Sequence, residues 1–260
     1  MTPTTSARSQ LARLAPHGLV VTKTWLMEQG LARHGIDNLV KSGQLMTLRP
    51  GVFKRPETSL AWQGVVCSLQ RMHGDLVVGG LSALELHGFA HYLPLLAKRT
   101  IHLYGRAALP AWVNQTGVAD RFIRHGTARL WRDDAEAGRF AVDLPWGDQS
   151  RTMRVSTPER ALFELLASVP VDVTFDHADK LMQGLATLSP RRLEKLLRQT
   201  PNVKAKRLFF WLAERHGHAW MGKLNPDDFD LGRGKRVLAK GGKLEKKYLI
   251  TVPEELHGPE

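Results

Sequence analysis

The sequence predicts an α+β protein: an N-terminal winged helix-turn-helix, a mixed α/β domain, and a helical, basic C-terminal region. Three observations carry this. Over residues 1–56, three short helical patterns run into two apolar stretches around a Pro-Gly turn. From 57 to 188, strand and helix patterns alternate. From 189 onward, helix-period leucines and aromatics carry a heavy load of Lys and Arg. The 260 residues, 43% of them hydrophobic, are more chain than one compact domain needs. The expected segments are 1–56, 57–188 and 189–260, the last packed on the second.

The N-terminal elements follow from local signals. Leu11 and Leu14 share a face in 6–15, with Ser6 or Thr5 placed to cap. Leu19, Val20 and Val21 read as a short apolar lead-in. Thr22 or Thr24 caps a second helix through Trp25, Leu26 and Met27, which Gly30 ends. A third helix fits 32–43, where Ile36, Leu39 and Val40 fall at i, i+3 and i+4. Arg33, His34, Asp37, Asn38 and Lys41 then point outward. Two short strands around Arg49-Pro50-Gly51 complete a hairpin.

The second segment starts with a helix over 57–73, with Cys67 among its apolar positions as a small core residue. A strand at 75–80 ends in Gly79-Gly80, and a helix (81–88) and a strand (98–105) follow. Further strands fit 120–131, 139–146 and 150–156. Pro158 and Glu159 open a strong helix. Helices over 175–189, 189–200 and 204–217 come next, Ser189 capping the second. Asp227-Asp228-Phe229-Asp230 reads as a loop or cap. The chain closes as two strands about a Gly-Gly turn at 241–242.

Charge narrows the function classes. There are 37 Lys+Arg against 25 Asp+Glu, a formal net charge of +12, with a pI near 10.1. Residues 1–56 hold eight basic against two acidic residues, 57–188 thirteen against fourteen, and 189–260 sixteen against nine. The excess sits at the two ends. Two basic modules around a neutral segment imply a polyanionic partner, nucleic acid before membrane, since no basic amphipathic helix with aromatic anchors stands out. Candidate DNA-binding residues are Thr24, then Arg33, His34, Asn38 and Lys41 for base recognition, and Arg49, Lys54 and Arg55 on the hairpin for the backbone. A secondary basic surface gathers Arg191, Arg192, Lys195, Arg198, Lys204, Lys206, Arg207, Lys235 and Arg236.

Catalytic signals are weak. One cysteine excludes a disulfide framework and a cysteine-based zinc site. His87 and His91 stand four apart and His216 and His218 two apart, without acidic companions at ligand spacing. No phosphate-loop, nucleophile-elbow or dinucleotide motif occurs in context. A strand, Gly79-Gly80, a helix and a further strand resemble the core of minimal nucleotidyltransferases. Such cores present an Asp-x-Asp pair on the second strand to hold metal. Here that strand reads Thr100-Ile101-His102-Leu103-Tyr104, so His102 and Tyr104 take the carboxylate positions. The domain is then a degenerate relative, or a plain α/β domain whose glycines allow close packing. Neither a catalytic residue, a metal nor a cofactor is expected. No 18-residue apolar run or signal-peptide pattern occurs, so a cytoplasmic location is expected.

The order of motifs resembles one family. LMTLRPGVFKR (45–55) is followed by LVVGGLSALELHGF (76–89), then VSTPERALFELL (155–166), and the chain closes with LGRGKRVLAKGGKLEKKYLITVP (231–253). This is similar to the AbiEi antitoxins of bacterial type IV toxin–antitoxin systems. The resemblance spans nearly the whole chain and implies two roles. Such antitoxins bind inverted repeats upstream of their own operon and repress it. They also counter a nucleotidyltransferase toxin without forming a stable complex. Two other readings fit the same residues: an enzyme acting on nucleic acid (a metal-dependent nuclease or an active nucleotidyltransferase), and a winged-helix protein-interaction module.

Overall fold

The computed structural model describes residues 7–56, 59–89, 99–147 and 151–257. The N-terminal part contains α1 (Ala7–Leu14), β1 (Val20–Thr22), α2 (Lys23–Glu28), α3 (Arg33–Lys41), β2 (Met46–Arg49) and β3 (Val52–Lys54). The lead-in at 19–21 is therefore largely a strand. β1 pairs antiparallel with β3, Val21 opposite Phe53, and β3 lies between β1 and β2. A three-residue strand is too short to show a period, so only its distant partner reveals it. Thr22 caps α2, its side chain accepting from Trp25 N–H, and Thr24 is an exposed residue within that helix. Leu11, Leu14, Val21, Leu26, Ile36, Leu39, Leu45 and Phe53 form a small core of their own.

The rest of the chain shares one larger core. It is built on α4 (Trp62–His73), β4 (Val77–Val78), α5 (Gly80–Leu86), β5 (Thr100–Tyr104), β6 (Arg121–His125), α6 (Asp134–Gly138), β7 (Ala141–Trp146) and β8 (Arg151–Ser156). The five strands lie in the order β6-β5-β4-β8-β7. β4 runs parallel to β8 and antiparallel to β5, so the sheet is mixed. Gln70 of α4 clamps this sheet: its amide donates to the carbonyls of Leu76 and Arg154 and accepts from Arg154 N–H.

Four helices cover the sheet's neighbourhood: α7 (Pro158–Ser168), α8 (Phe175–Gly184), α9 (Pro190–Gln199) and α10 (Val203–His216). Ser189 caps α9 with Pro190 at its first turn, as the sequence suggests. α10 is buried almost all round, because α7 and α8 pack on it and Phe229 and Tyr248 lie against Phe210. The closing strands are β9 (Lys243–Glu245) and β10 (Ile250–Val252), which pair antiparallel.

Several boundaries differ from the sequence reading. The first helix of the second segment starts at Trp62, not 57; residues 57 and 58 lie outside the described part, as do Thr5, Ser6 and His91. The strand expected over 120–131 stops at His125. Past Gly126, the Thr127 carbonyl accepts from the N–H groups of Leu130 and Trp131, and a turn delivers those side chains to the core. A short helix, α6, precedes β7 because Asp133 caps it through two N–H groups. α8 ends at Gly184, although Leu185 and Leu188 beyond it are still buried. The closing turn spans 246–249 rather than Gly241-Gly242. Those glycines lie before β9, where a Cβ on Gly242 would come within 2.2 Å of the Val252 carbonyl oxygen.

Candidate nucleic-acid interface

Helix α3 is laid down by its apolar face. Ile36 and Leu39 are 0% and 4% exposed and sit in the small core. At 100° per residue, Arg33, Asp37, Lys41, His34 and Asn38 fall in one arc on the opposite side. Arg33, His34, Asn38 and Lys41 are all exposed. Asp37 sits in the middle of this face and is held by Lys23, Nζ to Oδ1 at 2.5 Å. That contact links α2 to α3, and Lys23 holds the Asp37 carboxyl below its ordinary range.

The hairpin is placed beside these helices. The Lys23 N–H donates to the Gly51 carbonyl at 2.8 Å, which ties the hairpin turn to the start of α2. Gly51 takes φ +74°, a conformation that suits glycine. Arg49 is exposed at the end of β2. Lys54 and Arg55 are only half-buried neighbours of the sheet: Lys54 already makes a contact of its own, and the Nε of Arg55 is buried. Of the three expected backbone contacts, Arg49 is the one presented outright.

The second basic group divides. Arg191, Arg192, Lys195 and Arg198 are exposed along α9, and Lys235 and Arg236 are exposed beyond α10. Three residues expected on that surface are not on it. Arg207 is 2% exposed, and its guanidinium donates to the carbonyls of Leu231, Gly234 and Leu249 at 2.7, 2.7 and 3.1 Å. It fastens the C-terminal segment to α10. Lys204 donates to the carbonyls of Ala167 and Val169 at the end of α7, both at 2.6 Å. Lys206 is 3% exposed. Burial lowers the affinity of both lysines for a proton.

The glycines at 79 and 80 serve close packing. A Cβ on Gly79 would come 2.2 Å from Glu164 Oε2. The fully buried Glu164 accepts from Gly80 N–H at 3.0 Å and pairs with Arg160 at 2.7 Å. The Tyr104 hydroxyl donates to the Glu164 carbonyl, while its ring stacks on His125. His102 Nδ1 meets His125 Nε2 at 2.9 Å. The β5 face therefore carries a stacked His-His-Tyr set in place of a carboxylate pair. Elsewhere, His216 meets Asp179 and His218 meets the Met182 carbonyl. Cys67 is buried against the Thr152 carbonyl, and burial pushes its thiol up to about 11. Among the described residues, no helix is long and apolar enough to cross a membrane.

Residues 98–253 match the family model described as transcriptional regulator, AbiEi antitoxin, type IV toxin–antitoxin system. Residues 4–95 match the model of the AbiEi antitoxin N-terminal domain, also described as a transcriptional regulator. Both descriptions are of a regulator and not of an enzyme. No curated protein matches the chain. Among solved structures, the RV2827C protein from Mycobacterium tuberculosis is similar in fold, with a TM-score of 0.57 at 20% identity, over 93% of this chain and 88% of that one. The shared fold is a mixed α+β protein with a small N-terminal part and a larger mixed α/β part.

Proposed function

Because the chain belongs to the AbiEi family of transcriptional regulators and antitoxins of type IV toxin–antitoxin systems, we propose that residues 1–56 act as a winged helix-turn-helix on double-stranded DNA. A transcriptional regulator binds DNA, and an antitoxin answers a toxin. The finer reading is that the DNA is the protein's own operator, with inverted repeats, and that binding represses the operon. The toxin is a nucleotidyltransferase, countered without a stable complex by the remainder of the chain, 57–188 with 189–260 packed on it.

The observation that carries the DNA reading is α3. It offers Arg33, His34, Asn38 and Lys41 on one exposed face, backed by Ile36 and Leu39. Arg and Lys donate to guanine edges and Asn pairs with adenine, so this face has the chemistry of major-groove readout. Arg49 at the hairpin tip and Thr24 at the start of α2 are placed for phosphate contacts beside it, with Lys54 and Arg55 adjacent. The remnant geometry around Gly79-Gly80 fits a degenerate nucleotidyltransferase core in which His102 and Tyr104 stand where metal carboxylates would be.

A mobility-shift series tests the reading, with the DNA upstream of the protein's own gene against a scrambled duplex of equal length. Preference for the upstream DNA by tenfold or more, lost on Asn38→Ala, is expected. Equal affinity for both duplexes across the salt range would overturn operator recognition.

A further inference from the structure

Residues 57–188 are neutral in sequence, yet the fold gathers arginines from them around one cleft. The cleft has a volume of about 680 Å³ and is lined from the start of β4, the end of β5, α6 and Arg154 of β8. Arg106, Arg132, Arg139, Arg154 and Arg160 all line it. They come from five separate stretches of chain, so no local charge run announces them.

The acidic residues at the cleft are mostly committed. Asp134 pairs with Arg106 at 2.5 Å through Oδ2, and Arg160 is taken up by Glu164, which does not line the cleft. Asp75 accepts from the N–H groups of Arg106 and Ala107, and Asp133 caps α6. Among the described residues, no carboxylate stands within ion-pair range of Arg132, Arg139 or Arg154. All three are exposed, and the Arg154 guanidinium donates to the Gly138 carbonyl, which aims it along α6. Thr127 lines the same cleft at 3% exposure, and its hydroxyl is buried with no hydrogen-bond partner among the described residues.

Three forked cations and a buried hydroxyl around one concavity suit a compact polyanion. Arginine recognises phosphate oxygens bidentately, which lysine does not. The volume falls in the small-molecule range of about 300–1,000 Å³. We propose that this cleft binds a polyphosphate of the size of a nucleoside triphosphate, held by Arg132, Arg139 and Arg154 with Thr127 at the side. Asp75, Asp133 and Asp134 line the same cleft, so the arginine excess there is modest and suits a ligand small enough to sit on the guanidinium groups. Tyr104 is buried and stacked on His125, so the cleft offers no open ring for a base. Recognition therefore rests on the phosphates, and ATP, GTP and CTP bind within a few-fold of one another.

The test is calorimetry on the full chain with inorganic triphosphate, ATP and inorganic phosphate, and with a duplex of unrelated sequence as competitor. Triphosphate and ATP are expected to bind one to one. The variant Arg132→Ala/Arg154→Ala should weaken both by about tenfold or more per arginine. Both side chains are exposed, so unchanged circular dichroism and melting temperature are expected. Asn38→Ala/Arg49→Ala should leave triphosphate binding intact, which separates this site from the DNA reading. Absence of binding, or binding unchanged in the cleft variant, overturns the proposal. So does a cleft variant that loses only duplex affinity, because the cleft is then a nucleic-acid groove.

Discussion

The hydroxyl of Ser68 accepts the backbone N–H of Val20 at 2.8 Å, in a site closed to solvent. The same hydroxyl donates to the Gly64 carbonyl at 2.6 Å. This pair joins β1 of the N-terminal part to α4 of the larger one. Around it, Arg71 donates to the carbonyls of Leu14 and Arg13 and lies over the Trp25 ring. Leu19 enters the larger core. These contacts fasten the N-terminal part, α3 included, to α4 of the larger part.

Loss of this junction is measurable. Ser68→Ala leaves the buried Val20 N–H without a partner, and about 1–3 kcal/mol of stability should go. Gly64→Ala should do more damage, because its Cβ would stand 2.0 Å from the Gly18 carbonyl oxygen. Urea unfolding gives the stability, and limited proteolysis near residues 15–19 reports the loosened joint. Unchanged cleavage in both variants would contradict the rigid junction.

The exposed α3 and hairpin residues predict separable effects. Asn38→Ala should cost about 1–3 kcal/mol on the operator and little on random DNA. Arg49→Ala should weaken both alike and lower the salt slope by about one. Mobility shifts from low to moderate salt measure the two quantities together. An Arg49→Ala slope equal to that of the parent removes Arg49 from the contact.

Arg207 should behave as a structural residue. Arg207→Ala strands three carbonyls near a buried site, and about 1–3 kcal/mol of stability should be lost. Arg191→Ala/Lys195→Ala on exposed α9 should change stability by less than about 0.5 kcal/mol. Thermal and urea unfolding distinguish the two, and equal stability losses would return Arg207 to the surface.

His102 gives the fold a pH dependence. Burial first, and then the neighbouring His125, pull its pKa from 6.5 to about 4. The folded state prefers the neutral ring, so its contribution is complete above about 6.5 and is lost as pH falls toward 4. The full effect is roughly 3 kcal/mol. His125 is shifted in the same direction by burial. His102→Gln keeps a polar side chain without the titration, so its urea midpoint should fall less between pH 7 and pH 4 than the parent's. Parallel curves for the two proteins would reject the assignment.

Elements with a strong local period were legible in the sequence. α3 was, because Ile36 and Leu39 recur at helical spacing, and α9 was, because Ser189 and Pro190 mark its start. The chemistry of the α3 face followed, since a buried stripe on a short helix leaves only one other side. β1 was not legible, because three residues carry no period and its partner β3 lies some thirty residues away.

What the sequence by itself determined was composition and local pattern: two basic ends, a neutral middle and the faces of individual helices. What only the tertiary structure decided was which cations meet water and which meet each other. Arg191 and Arg207 look alike in the sequence, but α10 is covered almost all round and α9 on one side, so Arg207 became an internal clamp. Arg132, Arg139 and Arg154 vanish into a neutral average, yet the mixed sheet and α6 bring them to one cleft. Net charge adds over the chain without regard to position, whereas a Coulomb interaction depends on separation and solvent, and only the fold sets those.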